Sequence, residues 1–465
     1  MSIQNNNEQY LSLRNKYPVF SYDSYTYKIE NKDLLVKFQF SIGNEIRFSP
    51  ESKLKYHPSF DAFYVNNDLS DLNAFVFSIG MIELISYWKA TCSPLIHIHA
   101  GGLAEEALAF WKKLYYHGLG EFFYRNSIET DYNSFVDIVR WEDYTKCTKR
   151  GFPVFGLKDE NIIPLGGGKD SIVTLELLRS FDVVPMVINP RGATLETLRT
   201  GGFEHDFLRI ERKIDPLLLE LNQQGFLNGH TPFSAMLAFY SILASVVSGK
   251  KNIVLSNESS ANEPTVIGSD VNHQYSKSYE FESDFRTYVA NYLSEEVNYY
   301  SFLRPLSELQ IACLFSTQQQ YFPVFKSCNV GSKEDVWCCH CAKCLFTFII
   351  LSPFIPPEQL IRIFGENLLE KKSLLPVFGE LCGLTKEKPF ECVGTIDEVC
   401  LALVEAMKHY ETLPFLLQHF ITTPLYQQYR HTKFKRQLCT LNARHFLPEK
   451  AFKILKEHLN LLIEY

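Results

Sequence analysis

The 465-residue sequence lacks any excess of basic residues: 46 Lys and Arg stand against 53 Asp and Glu, a formal net charge of −7. No global positive field therefore draws the chain toward nucleic acid or anionic lipid, and an anionic ligand has to be met by a local pocket. Internal repeats, low-complexity tracts and a skewed composition are also missing; 46% of residues are hydrophobic, 14% aromatic and 21% charged. These values lie close to an ordinary globular average and exclude a disordered, collagenous or coiled-coil chain. At ~100 to 200 residues per domain, the length predicts two to four domains with room for real cores.

The opening MSIQNNNEQY has no apolar signal core, and the twelve cysteines are spread too widely for the disulfide framework of a small secreted domain. A reducing, cytoplasmic compartment is expected. The charge-free run from Thr231 to Gly249 raises the question of a membrane. It carries four serines, and at about 1.5 Å per residue it reaches roughly 28 Å, short of a ~30 Å hydrocarbon core. With Thr231 as N-cap, Pro232 as first helical residue and Gly249 as left-handed terminator, it is predicted to be a helix buried in an α/β domain. No membrane partner is expected.

Around Glu30 to Asp33, the alternating aromatic and β-branched residues of 27–42 predict antiparallel strands. Helical spacing follows at 72–89 and 103–116, which makes residues 1–155 an N-terminal α+β accessory domain. From residue 161, short apolar runs (162–165, 183–188, 253–255) alternate with helices (171–179, 193–200, 232–248). That alternation marks a doubly wound, mostly parallel sheet over 156–350, with ligands at the carboxyl ends of its strands. Pro164 conflicts with a central strand, and a bulge at the strand end would accommodate it. Residues 351–465 read as mainly helical.

In NIIPLGGGKDSIVTLELLRS, an apolar strand runs into Gly166, Gly167 and Gly168, then Lys169, Asp170 and Ser171 open a helix. Consecutive glycines turn backbone N–H groups inward, and the helix N-terminus adds its own free donors, which suits pyrophosphate. A plain structural turn is the competing reading. The pattern is not the common P-loop, since Asp170 intervenes before Ser171. A carboxylate and a hydroxyl beside such a cradle suit Mg2+ and phosphate. The segment resembles the PP-loop ATP pyrophosphatases, whose signature is SGGxDS, with Gly166 in place of serine; the resemblance implies ATP binding.

Cys328, Cys338, Cys341 and Cys344 follow a C-x9-C-x2-C-x2-C spacing that can turn four thiolates onto one structural Zn2+, with His340 as a substitute ligand. A redox or unliganded thiol cluster is the alternative. A polar segment, 255–282, collects Asn257, Glu258, Asn262, His273 and Lys277 after the strand ending at Leu255. Such loops are either solvated connectors or site edges. His230, just before the helix at 232–248, is either a turn residue or a functional one.

Together GGGKDS, NGHTPFS, SNESSAN, VNHQYSKSYEFE, LRPLSE, CCHCAKC and KPFECVGT resemble the MurL family of ATP-dependent UDP-N-acetylmuramoyl-L-alanyl-L-glutamate epimerases. Cys339 stands where that family is expected to have glycine. The resemblance implies inversion of a terminal L-Glu through an adenylated carboxylate, with ATP cleaved to AMP and pyrophosphate. It places Gly166 to Ser171 on the phosphates, Asp170 on Mg2+, Lys169 near the leaving pyrophosphate, and Asn257 and Glu258 at the nucleotide. His230, His273, Lys277, Glu391 and Cys392 are candidates for proton transfer, the two histidines first because their ordinary pKa is near ~6.5. Arg191, Arg199 and Arg304 are candidate partners for an anionic UDP-sugar peptide. A PP-loop ligase or sulfur-transfer enzyme acting on a nucleobase or tRNA, and a zinc-stabilised nucleotide-binding regulator, are the other readings.

Overall fold

The structure, a computed structural model, describes residues 5–140, 152–266 and 268–463. Among them, one sheet of eleven strands runs through the molecule: β1 (Val19–Glu30), β2 (Asp33–Ile42), β3 (Ile46–Phe48), β4 (Glu51–Leu54), β5 (Leu95–Ile98), β6 (Asp137–Arg140), β7 (Lys158–Pro164), β8 (Val183–Ile188), β9 (Leu208–Lys213), β10 (Lys250–Leu255) and β11 (Asn298–Ser301). Their spatial order is β11-β10-β7-β8-β9-β4-β2-β1-β5-β6, with β3 beside β2.

The β1–β2 hairpin forms where alternation surrounds a turn of two left-handed residues, Asn31 (φ 53°) and Lys32 (φ 68°). Two positive φ angles match the right-handed strand twist, so the register is set locally. The second half, β7 to β11, is wholly parallel. The chain lays down β7, β8 and β9 in one direction, then returns across β7 to place β10 and β11 on its other side. The strand order therefore reverses between β7 and β10, which opens a crevice at their carboxyl ends.

The parallel strands read as continuous apolar runs because both their faces are buried. Ile162, Met186, Ile253 and Tyr299 belong to one core with the helices Asn73–Trp88 and Phe233–Ser248. Their sequence neighbours Ile163, Val187, Val254 and Tyr300 belong to a second core with the helices Lys169–Leu177, Glu308–Ser316 and Ala342–Leu351. After β11 the named elements are helical among the described residues.

Two local expectations are corrected. Pro164 ends β7 two residues past its last pairing with β10, at Ile162, so its missing N–H breaks no bond to that neighbour; the irregularity lies at the opposite end, between Lys250 and Asn252. Helix Phe233–Ser248 ends as expected at Gly249 (φ 69°), but its N-cap is Pro232. Thr231 does not cap because its hydroxyl takes a hydrogen bond from the buried Lys89 ammonium at 2.6 Å. Leu69–Trp88 is the one described stretch long and apolar enough to cross a membrane, and 72% of it is buried within the protein.

The expected border at residue 155 is crossed by the sheet itself, because β4 pairs antiparallel with β9 from Glu51↔Lys213 to Leu54↔Ile210. Behind that seam, Glu83 forms a two-pronged ion pair with Arg212 (2.6 and 2.7 Å) and accepts the Tyr240 hydroxyl at 2.9 Å. Helix Asn73–Trp88 is thereby tied to β9 and to helix Phe233–Ser248. Breaking a buried pair leaves an uncompensated charge. Glu83→Ala should cost about 3 to 5 kcal/mol in urea unfolding followed by circular dichroism; a loss below about 1 kcal/mol, the range of surface pairs, would mean the seam does not depend on it.

Candidate active site at the strand-order reversal

The crevice between β7 and β10 receives the turn that leaves β7. The amides of Gly166, Gly167, Gly168, Lys169, Asp170 and Ser171 donate to no other group among the described residues. The carbonyl side of the turn is fixed instead: Lys326 N–H donates to Gly167 O (3.0 Å), Thr194 Oγ1 to Gly166 O (3.4 Å) and Ser171 Oγ to Gly168 O (3.1 Å). Gly167 has φ 82°, and a Cβ there would come within 3.3 Å of the Thr194 backbone. A Cβ at Gly166 would meet only open space. The free amides at a helix N-terminus form an anion cradle. At the end of β10, the buried Ser256 Oγ has no partner.

Behind the cradle lies a buried charge cluster. Lys169 is paired with both Asp170 and Glu308. Asp170, Glu258 and Glu308 bring carboxylate oxygens within 4.8 Å of one another, a set of hard donors that could hold a divalent cation. Burial opposes charge on Asp170, but the ammonium groups of Lys169, Lys343 and Lys277 outweigh it and hold the carboxyl below its usual range. Burial pushes Glu308 up.

Next to the cluster, His230 and His273 stand with ring centroids 4.7 Å apart. Both face Glu121 Oε2 through Nδ1, at 3.1 Å and 2.5 Å respectively. Their protonation diverges. Burial, reinforced by the charge of His273, pulls His230 down to about 3. Burial opposes the charge on His273 too, but hydrogen bonds with Cys392 and Glu121 prevail and push it up to about 9. Lys277 Nζ donates to Cys392 Sγ at 3.1 Å. Burial would raise the Cys392 thiol, yet Lys277 and His273 bring it down to about 5. Lys343 donates to the Cys392 carbonyl.

The four cysteines Cys328, Cys338, Cys341 and Cys344 bring their sulfurs within 4.8 Å of one another. The Sγ pairs 328–341, 338–344 and 341–344 are 3.8, 3.7 and 3.5 Å apart, close to the ~3.8 Å edge of a tetrahedron with ~2.3 Å metal–sulfur bonds. Gly331 N–H supports Cys328 Sγ at 3.1 Å. Cys339 turns away, with its thiol on Phe364 O (3.1 Å) and φ 59°, a left-handed conformation that suits glycine. His340 points to the Cys338 carbonyl (2.7 Å) and lies outside the four-sulfur group. The loop packs on the cradle: a Cβ at Gly168 would lie 2.8 Å from Ser327 Oγ.

The fold thus gathers Asp170 with Glu258 and Glu308 at the start of the cradle helix, and His230 and His273 on Glu121, the two groups connected through Lys277, which donates to Cys392; Asn257 bonds Ser301 Oγ at 3.1 Å. Lys169 points into the interior with 3% of its side chain exposed. Arg304, a candidate for an anionic substrate, is fully buried; it pairs with Glu282 (3.0 Å) and donates to Glu258 O (2.6 Å), so its charge is spent inside the protein. Arg199 pairs on the surface with Glu196 and Glu204, and Arg191 donates to Ser332 Oγ at 2.7 Å. Glu391 accepts from Asn329 Nδ2 at 3.4 Å. Sequence reasoning missed Glu121, Glu308 and Lys343; the last two lie inside LRPLSE and CCHCAKC, segments singled out for other reasons. A pocket of about 510 Å³ is lined by Ser259, Asn262, Tyr275, Tyr279, Asn442 and Arg444 among others.

Fold and site define an α/β protein with a turn of free amides at a helix N-terminus and a cluster of buried charged groups at the carboxyl edge of a parallel sheet. The profile of the MurL N-terminal domain matches residues 12–302, and that of the MurL C-terminal domain matches residues 324–430. The chain belongs to the MurL family. It is similar to the UDP-N-acetyl-alpha-D-muramoyl-L-alanyl-L-glutamate epimerase of Xanthomonas oryzae pv. oryzae, 37% identical over 68% of this chain and 70% of that one. Proteins of the same name from Salinispora tropica (37%, covering 70% and 71%) and Micromonospora sp. (36%, covering 70% and 73%) are also similar. No solved structure matches the chain.

Lys277 and His273 outweigh burial and bring the Cys392 thiol down to about 5, which predicts a thiolate at neutral pH. Alkylation of the Cys392 peptide by iodoacetamide, read by mass spectrometry, should be independent of pH between about 6 and 8, where an ordinary thiol near ~8.5 gains reactivity about tenfold per unit. A tenfold rise per pH unit would show that Lys277 and His273 do not hold the thiolate.

Proposed function

We propose that this protein inverts the α-carbon of the terminal L-Glu of UDP-MurNAc-L-Ala-L-Glu, at the expense of ATP cleaved to AMP and pyrophosphate, in peptidoglycan precursor synthesis. The carrying observation is an amide-lined turn in the same chain as two histidines on one carboxylate, which their surroundings drive toward a neutral and a protonated ring. Two like groups with pKa values driven apart are a ready base and acid.

The chemistry needs both parts. An α-proton beside a free carboxylate is scarcely acidic, since its removal stacks two negative charges. Adenylation turns the carboxylate into a mixed anhydride, and each pKa unit gained at the α-carbon lowers the barrier by up to about 1.4 kcal/mol. Gly166 to Ser171 act as a PP-loop on the phosphates, with Ser256 Oγ as a further free group at the nucleotide. Asp170, with Glu258 and Glu308 beside it, would hold Mg2+, which neutralises phosphate charge when bound. Lys277 balances charge between these carboxylates and Cys392, as its raised pKa reflects: burial opposes its charge, and Cys392, Glu258 and Asp170 outweigh that. The pocket lined by Ser259, Asn262 and Arg444 has the volume of a small-molecule site and would take the bulk of the nucleotide sugar. His230 takes the α-proton and His273 returns one.

In D2O with ATP and Mg2+, UDP-MurNAc-L-Ala-L-Glu should yield the D-Glu isomer with deuterium at the glutamate α-carbon, together with AMP and pyrophosphate. Omitting ATP should abolish both exchange and inversion. Pyrophosphate release with the glutamate still L and carrying an amide or thioacid would make the protein a ligase instead.

The four-cysteine group fits structural Zn2+, which would lock the loop that packs on Gly168 and carries Lys343. Anaerobically purified protein should hold about one zinc per chain, and Cys341→Ser should lose metal and thermal stability together, because structural zinc binding is folding free energy. Metal-free protein with unchanged melting temperature would exclude this role.

A further inference from the structure

Cys392 is more exactingly arranged than charge balance requires. Glu121 Oε2 holds His273 Nδ1 at 2.5 Å, and the charge of the same ring acts on the Cys392 sulfur beside it. A carboxylate that fixes a histidine, which in turn faces a thiol, is the arrangement that activates sulfur as a nucleophile. Three further features point the same way. Arg125 Nε holds Glu121 at 2.8 Å, so the orienting carboxylate is itself fixed. Lys277 Nζ, at 3.1 Å, stabilises the thiolate from another side, and Lys343 anchors the Cys392 backbone. Cys392 as a residue is partly exposed, unlike the buried Cys92, Cys313, Cys382 and Cys400. Lys277 also exerts its charge on Asp170, which links the sulfur electrostatically to the start of the cradle helix.

We propose that Cys392 is a covalent nucleophile that takes the glutamyl group from the adenylate, with Glu121 and His273 as its orienting pair. This rests on the adenylating epimerase function proposed above. The substrate carboxylate first attacks the α-phosphorus of ATP and displaces pyrophosphate. The Cys392 thiolate then attacks the acyl carbon; a C–S bond forms, the C–O bond to the phosphate breaks, and AMP leaves with that oxygen. AMP departs as an anion and needs no proton, so His273 keeps its own. The α-proton of the thioester, acidified by the carbonyl and no longer opposed by a carboxylate charge, leaves to His230, and His273 delivers its proton to the other face of the enolate. Water then adds its oxygen to the acyl carbon and the C–S bond breaks, restoring the thiolate with the free D-glutamyl carboxylate; of the two protons released, one returns to His273 and the other, with the proton held by His230, passes to solvent. The thioester places the α-carbon beside both histidines for as long as exchange requires, which a freely diffusing adenylate would not.

The test uses the full-length protein with saturating Mg2+ and ATP and a slight excess of protein over UDP-MurNAc-L-Ala-L-Glu, quenched in acid over milliseconds to seconds. Intact mass should show transient protein heavier by the substrate less one water, discharged by neutral hydroxylamine, with the label mapping to the Cys392 peptide. Cys392→Ala should form no such species and should lose inversion by about 10³-fold or more. Exchange of labelled pyrophosphate into ATP by the wild-type protein reports the adenylation step alone, so its absence would remove the epimerase mechanism itself rather than the role of Cys392. Wild-type protein that performs exchange and inversion but shows no hydroxylamine-sensitive adduct, or an adduct on another residue, would overturn the proposal; so would a folded Cys392→Ala variant inverting within tenfold of wild type. Trapping on the wild type keeps the test decisive if the variant does not fold.

Discussion

The site depends on one buried ammonium. Lys169, the first residue of the helix after the glycine turn, is almost wholly removed from water and held between Asp170 and Glu308. A charge at that depth persists only if partners surround it. Glu308 in turn begins a helix whose first amide donates to Glu398 Oε1 at 2.6 Å, and Thr395 Oγ1 bonds the same carboxylate at 2.9 Å. Thr395 lies three residues after Cys392. The cradle turn, the helix after β11 and the segment that carries the thiol are thus fixed by one chain of charge and hydrogen bonding, and none of the three can shift alone without stranding a buried charge.

That cluster also explains how like residues acquire unlike states. His230 and His273 share one carboxylate, but only His273 has a second anionic neighbour in Cys392, which favours its protonated form; burial, and then the charge of His273, disfavour protonation of His230. Cysteine shows the same division. Cys92 sits in an apolar core that disfavours its thiolate, and Cys392 sits between two cations that favour it. Environment rather than residue type assigns the chemistry.

What could be read from the sequence follows the range of the interactions. The glycine turn, the β1–β2 hairpin and the strands β7, β8 and β10 are specified by residues within a few positions of each other, and they form where expected. Strand β9, LRIERK, escaped notice because it alternates charge with apolar residues and joins the antiparallel seam to β4 instead of lying within two parallel neighbours. Glu121 reaches His273 across 152 residues of sequence and Glu308 reaches Lys169 across 139; nothing near either glutamate distinguishes it from a surface carboxylate. Arg304 failed for the converse reason, since a charged residue in a polar segment gives no local sign that Glu282 will bury it. Cys339 was legible only as a departure from an expected glycine, and its positive φ supplies the physical reason that glycine belongs there.

Glu121 belongs to the N-terminal portion of the chain, whereas the cradle, the four-cysteine loop and Cys392 belong to the rest. Its short helix, Gly120–Arg125, is followed by Asn126, whose side chain donates to Asn228 O at 3.3 Å, two residues before His230. The carboxylate that sets both histidines is therefore delivered by a region whose position is fixed by the β4–β9 seam and by the Glu83–Arg212 pair behind it. The half from β7 onward, folding alone, would keep its glycine turn but would present two histidines with no common carboxylate. Continuity of the sheet across the two halves is consequently a requirement of the histidine–carboxylate arrangement and not only of stability.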